Sequence, residues 1–165
     1  MALIQKSLRE LLSYDPMPGQ LTWLVNRGRV HVGEIAGSLD RRGYRVITID
    51  GKNYKAHRLA WLYVNGAWPA DRIDHQNGVP DDNRIANLRE ATDAENGQNR
   101  TKQANNKSGF LGVSWHKPSG QWVAQIMLDG RKSHLGYFPT PEAAYAAYLT
   151  AKSQLHTFNP KPREA

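Results

Sequence analysis

Cysteine is absent from the 165 residues, which excludes disulfides, thiolate metal sites, iron–sulfur clusters and cysteine nucleophiles. The six histidines are too scattered for a zinc knuckle, so any metal has to be held by oxygen and imidazole. Nowhere does the chain approach the ~20 consecutive apolar residues of a membrane span. Its start shows neither a basic leader followed by an apolar run nor a small-residue cleavage site. A cytosolic protein with no membrane partner is therefore expected. Internal repeats and low-complexity stretches are also missing. What is present is an ordinary folding composition, 39% hydrophobic, 22% charged and 9% aromatic, too rich in Trp and Tyr to remain disordered. The length leaves room for one medium domain or two small ones.

Lys and Arg number 22 against 15 Asp and Glu, a formal charge of +7 that suits a polyanion such as nucleic acid. The excess is uneven. Residues 1–60 carry ten basic and five acidic side chains and residues 101–165 carry eight and three, whereas residues 61–100 carry four and seven. An acidic middle in a basic protein reads as a solvated loop face at Asp71, Asp81 and Asp82, or as a place that needs a divalent cation to approach phosphate.

Ile4, Leu8, Leu11 and Leu12 recur at helical spacing and predict a short amphipathic helix over residues 3–13, ended by Asp15-Pro16. Gln20–Val25 reads as a strand after the Pro-Met-Pro-Gly turn. Tyr44–Ile49 alternates apolar and polar residues before Asp50-Gly51, a hairpin signal that makes Lys52–Ala56 the returning strand. His57–Val64 has a helical apolar face and stops at Asn65-Gly66. Residues 101–108 are nearly free of apolar side chains and are expected to form a linker, with one domain over 1–100 and another over 109–158, followed by a tail at 159–165. In the second domain Gly112–Trp115, Trp122–Leu128 and Lys132–Tyr137 read as strands. Thr140 caps a helix with Pro141 at its first position, and Ala144, Tyr148, Ala151 and Leu155 line one face.

The segment from Arg72 to Asn96 carries the chemistry. Asp74 and His75 are adjacent, a loop rich in Gly and Asp follows, Asn87 stands just before the run Leu88–Ala91, and Asn96 lies downstream. Thr92 and Glu95 have capping-box spacing, so a helix begins at Thr92 with Asn96 in its first turn. Including the leader His57-Arg58-Leu59-Ala60-Trp61, Asn83-Arg84-Ile85 and Glu95-Asn96, the stretch Ala56–Arg100 resembles the HNH nuclease family in its phage and intron-encoded branch. That family more often ends its motif with His; position 96 here is Asn, as in the branch whose last ligand is Asn. The resemblance implies a ββα-metal core, a two-stranded ribbon and a helix around a metal ion.

Phosphodiester hydrolysis requires a deprotonated water, relief of charge on a pentavalent phosphate and a stabilised leaving oxygen. With the resemblance, His75 is the general base, since an imidazole of pKa ~6.5 is substantially neutral near physiological pH. Asn87 is expected to orient its ring through a side-chain oxygen. Asp74 and Asn96 offer oxygens to one divalent cation, Mg²⁺ or Mn²⁺. Neighbouring strand residues point to opposite faces, so Asp74 and His75 must lie at a strand end or bend to share a site. Asn83 reads as a turn residue, and His57 as structural or as a contact to the site or phosphate. Arg89 and Arg100 are solvated residues that flank the motif and are candidates for phosphate contact.

Ser108–Phe158 resembles the DNA-binding domain of plant ethylene-response (APETALA-type) factors. The likeness rests on Gly112-Val113-Ser114-Trp115, Trp122-Val123-Ala124-Gln125-Ile126, Leu135-Gly136-Tyr137-Phe138-Pro139-Thr140 and the helix that follows. It implies a three-stranded antiparallel sheet lying in the major groove with one helix behind, and makes Trp115, Lys117, Trp122, Gln125, Arg131 and Lys132 candidate contacts. Trp115 and Trp122 read equally well as core. Position 114 is Ser and 116 is His, where plant members often carry Arg, so a plant-type base preference does not carry over.

The expectation is an α+β protein whose HNH core, with small N-terminal β elements, precedes the sheet-and-helix domain. It would be a metal-dependent endonuclease acting on double-stranded DNA, of the phage homing type, in the cytoplasm of an infected bacterial host. No protein partner is indicated. The alternative is a DNA-binding regulator that keeps a nuclease-like scaffold without cleaving.

Overall fold

A computed structural model describes residues 3–98, 106–128 and 130–156. The described chain divides into two compact units between Ala91 and Thr92. The expected linker at 101–108 lies mostly, and the tail at 159–165 wholly, outside the described residues.

The first unit begins with α1 (Gln5–Leu11), followed without a break by β1 (Leu12–Asp15), which pairs antiparallel with β2 (Gln20–Trp23). Apolar spacing predicts that the helix runs to 13. Instead Leu12 and Ser13 face Trp23 and Thr22 across the hairpin, because pairing satisfies their backbone groups while Leu12 still enters the core. β3 (Ser38–Leu39), β4 (Arg45–Ile49) and β5 (Lys52–Lys55) form a second antiparallel sheet. The Asp50-Gly51 turn has positive φ at both residues, 49° and 74°, as a tight two-residue hairpin requires. α2 (Ala56–Asn65) ends at Gly66, left-handed at φ 81°. Its buried residues Ala56, Leu59 and Leu62 join Leu8, Leu12, Leu21, Trp23, Ile47 and Ile49 in the main core. β6 (Arg72–His75) and β7 (Leu88–Ala91) then make an antiparallel ribbon, whose Ile73 and Leu88 pack on Ala60 of α2.

The second unit opens with α3 (Asp93–Gln98). Its capping box is formed: Glu95 Oε2 accepts the Thr92 N–H at 2.8 Å, and Thr92 Oγ1 accepts the Glu95 N–H at 3.3 Å. β8 (Val113–His116), β9 (Gln121–Leu128) and β10 (Arg131–Phe138) form an antiparallel sheet in the order β10-β9-β8, backed by α4 (Pro141–Leu155). Thr140 Oγ1 caps α4 by accepting the Ala143 N–H. Ala144, Tyr148 and Ala151 are buried against Val113, Ala124 and Ile126. Leu155, expected on the same face, is exposed at 48%, because Lys152 and His156 take the buried side of the helix end, His156 Nε2 lying 2.9 Å from the Met127 carbonyl of β9. Lys152 is buried instead, its Nζ donating to the Gln98 carbonyl at 3.1 Å, which ties α3 to α4 within this unit.

Candidate active site

His75 is the last residue of β6, and the chain turns at once: Gly78 N–H donates to the His75 carbonyl at 2.8 Å and Gln76 N–H to the Asn87 carbonyl at 2.9 Å. The side chain is 5% exposed. On the ribbon face shared with Leu88 and Ile73, it looks towards α2. The His57 ring meets it edge-on at 5.0 Å between centroids and the Tyr44 ring at 5.8 Å. Asn83 Oδ1 makes a long 3.4 Å contact with Nε2. Burial pushes the imidazole below its ordinary pKa, partly offset by Asn83 and the carboxylates of Asp74, Asp82 and Asp81. The ring is therefore neutral at pH 7.

The loop between β6 and β7 is held from several sides. Asn87, expected to orient His75, accepts the Asn77 N–H at 3.0 Å on Oδ1 and donates from its amide to the Asp82 carbonyl at 2.9 Å. It closes the base of the loop, and the side chain against the His75 ring is that of Asn83. Sequence spacing favours Asn87 because it stands beside β7; Asn83 is brought round by the fold, through contacts that no local pattern reveals. The Tyr14 hydroxyl of β1 donates to the Asn83 carbonyl at 2.9 Å and accepts the Ile85 N–H at 3.0 Å. Arg45 of β4 grips Asp81 with two bonds of 3.0 and 2.8 Å. Asp82 is held by Arg84, at 2.8 and 2.6 Å, and by the Asn77 amide at 2.6 Å. The acidic run in the middle of the chain thus acts largely as internal scaffolding.

Asp74 faces the opposite side of the ribbon, paired across from Arg89. It is 5% exposed, its Oδ2 accepts a hydrogen bond from Arg89 Nε at 2.9 Å, and the ion pair brings Nη2 to 2.8 Å from the same oxygen. Arg89, a candidate phosphate contact, is therefore engaged by Asp74. Asn96 lies in α3 of the second unit, and Arg100 lies outside the described residues. The Asp74 carboxylate is a hard oxygen donor, of the kind that suits Mg²⁺ or Mn²⁺. Among the described residues no group of three or more His, Asp or Glu gathers as a metal site.

In the second unit the candidate DNA contacts divide between the faces of the sheet. Trp122 belongs to the helix-facing core with Phe138, and Trp115 pairs with it edge-on at 5.2 Å while remaining 49% exposed. Arg131, across from Leu128, has the same facing. Gln125 and Lys132 alternate to the open face, beside His134 and Met127, and Lys117 lies in the exposed β8–β9 turn. On that face Tyr137 contacts His116 and His134, at 5.0 and 4.7 Å between ring centroids.

His57 at the start of α2 is 8% exposed, and its pKa is lowered to about 3. Burial is the main cause, followed by repulsion from His75, Arg58 and Lys55. A depressed folded-state pKa gives stability that is complete above the unfolded value near 6.5 and is lost as pH falls towards 3. Each unit costs ~1.4 kcal/mol, so denaturant unfolding should show about 2 kcal/mol lost at pH 5 relative to pH 7.5 through this residue. His57→Phe should flatten that slope; an unchanged acid slope would show that His57 does not titrate in this way.

An HNH endonuclease family model matches residues 54–98, the span from β5 through the His75 loop to α3. Protein 3.8 of Escherichia phage T7 is 35% identical over 107 residues, covering 62% of this chain and 88% of the T7 protein. No solved structure matches. Among the described residues no helix is long and apolar enough to cross a membrane. The chain belongs to the family of phage T7 protein 3.8 and carries within it an HNH endonuclease-like domain at residues 54–98.

Proposed function

We propose that this protein is a metal-dependent endonuclease that hydrolyses phosphodiester bonds in double-stranded DNA, of the phage homing type, working in the cytoplasm of the infected host. The observation that carries the reading is His75: a buried, neutral imidazole at a strand end, lodged between Asn83, His57 and Tyr44 within the stretch that matches the HNH family. With Nε2 protonated towards Asn83 Oδ1, the lone pair resides on Nδ1. Nδ1 then removes the proton from the attacking water as its oxygen adds to phosphorus and the bond to the leaving oxygen breaks. The family resemblance names Asp74, and separately Asn96, as oxygen donors to Mg²⁺ or Mn²⁺, which when bound would supply positive charge against the phosphate.

The second unit supports DNA binding by its open sheet. Gln125 and Lys132 on that face, with Lys117 at one end, present donors to a groove, while Arg131 and the exposed part of Trp115 lie at the rim. An APETALA-type role for this unit rests on its three strands and backing helix together with the sequence resemblance.

Supercoiled plasmid incubated with the full chain tests the nuclease reading. Nicked or linear product with Mg²⁺, and none with EDTA, is the expected result. Tight binding without conversion at any Mg²⁺ or Mn²⁺ concentration would instead identify a DNA-binding regulator on a nuclease-like scaffold.

A further inference from the structure

The turn between β3 and β4 carries two arginines that the site described above does not use. Asp40 builds this turn: its Oδ1 accepts the N–H groups of Arg42 and Tyr44 at 2.8 and 3.0 Å, and its Oδ2 takes Lys55 Nζ at 2.5 Å. Lys55 thereby pairs with the Asp40 carboxylate. Arg41 and Arg42 are exposed, and among the described residues their guanidinium groups have no hydrogen-bond or ion-pair partner. With Asp40, Tyr44 and Lys55 they line a cleft of about 390 Å³.

That cleft adjoins the His75 site. Tyr44, the residue after the turn, lies against both His57 and His75, at 5.6 and 5.8 Å between ring centroids. On the other side a Cβ at Gly43 would sit 3.8 Å from the Pro80 ring in the loop after β6. A hydrogen-bonded turn with two exposed guanidiniums beside a buried general base has the charge and the donors for paired phosphate contacts. We propose that Arg41 and Arg42 bind DNA backbone phosphates flanking the one that His75 addresses, and so set the strand across the site. This assignment rests on the nuclease reading for the identity of the neighbouring centre.

The test measures binding of the full chain to a fluorescein-labelled 25-base-pair duplex across a KCl series, separately from plasmid cleavage. Each phosphate contact contributes about 0.9 to the slope of log K against log salt. The double variant R41Q/R42Q should therefore lose about 1.8 of slope, and about 10-fold or more in affinity at low salt. The control K6Q/K52Q removes two exposed charges from α1 and β5 and should keep the wild-type slope. Equal slopes in wild type and R41Q/R42Q, or equal losses in both doubles, would overturn the assignment. A wild type that binds steeply but never cuts would refute the nuclease reading alone, and the slope difference would still decide the arginines.

Discussion

His75→Ala should lower plasmid cleavage by about 10²- to 10⁴-fold, the usual contribution of a positioned general base, while changing duplex affinity by less than about threefold. The reason is geometric. The imidazole is 5% exposed and packed among protein rings, so it offers little surface to DNA. Its contribution falls in the chemical step, so kcat should drop and KM should not. Alanine also opens a cavity against His57 and Tyr44, and His75→Gln separates the two effects by keeping most of the volume and a polar tip without a proton acceptor of suitable pKa. Both variants should be equally inactive, and the glutamine variant the more stable. Turnover within tenfold of wild type in His75→Gln would remove His75 from the role of base.

Local signals account for the parts of this fold that local chemistry decides. Asp50-Gly51 marks the tight β4–β5 turn because φ is positive at both positions. Asn65-Gly66 marks the end of α2 at a left-handed glycine, and Thr140-Pro141 marks the start of α4 by cap and ring geometry. The strand after Leu11 is hidden because Leu12 meets the spacing of a helix as well as that of a core-facing strand; its pairing with β2 decides between them. Two-residue β3 is too short to leave a pattern. In the site, His75 and Asp74 stand out because they are adjacent in a recurrent motif. The residues that immobilise their surroundings come from far along the chain: Tyr14 lies 69 residues from Asn83 and Arg45 lies 36 from Asp81. No pattern within a window of the sequence encodes such contacts. Asp74 and Arg89 sit opposite each other on the ribbon, and that ion pair could have been read from the expected register of the two strands.

Gly19→Ala should be among the most damaging single-methyl changes in the first unit, although Gly19 lies outside the HNH-matched stretch. The residue ends the turn between β1 and β2 at φ 68°, and a Cβ built there would lie 2.6 Å from the Asn83 carbonyl carbon and closer still to the Arg84 nitrogen. Those are backbone atoms of the segment that Tyr14 clamps through the Asn83 carbonyl and the Ile85 N–H, so they cannot step aside by a rotamer change. The methyl group must displace the turn or the segment, and moving the segment moves Asn83 away from His75. Left-handed backbone costs an L-residue ~1–2 kcal/mol and overpacking adds ~1–3 kcal/mol; a loss of about 2–5 kcal/mol in denaturant unfolding follows, with cleavage reduced more than tenfold. Gly51→Ala isolates the first contribution, because Gly51 has nearly the same φ, 74°, and nothing within 4 Å of the added carbon. Only the backbone cost of ~1–2 kcal/mol applies there, and the distant turn leaves the site undisturbed. Unfolding of both variants in urea, with plasmid cleavage at saturating Mg²⁺, compares them directly. If the two lost equal stability and equal activity, the close approach of the β1–β2 turn to the Asn83 segment would have no part in holding the site.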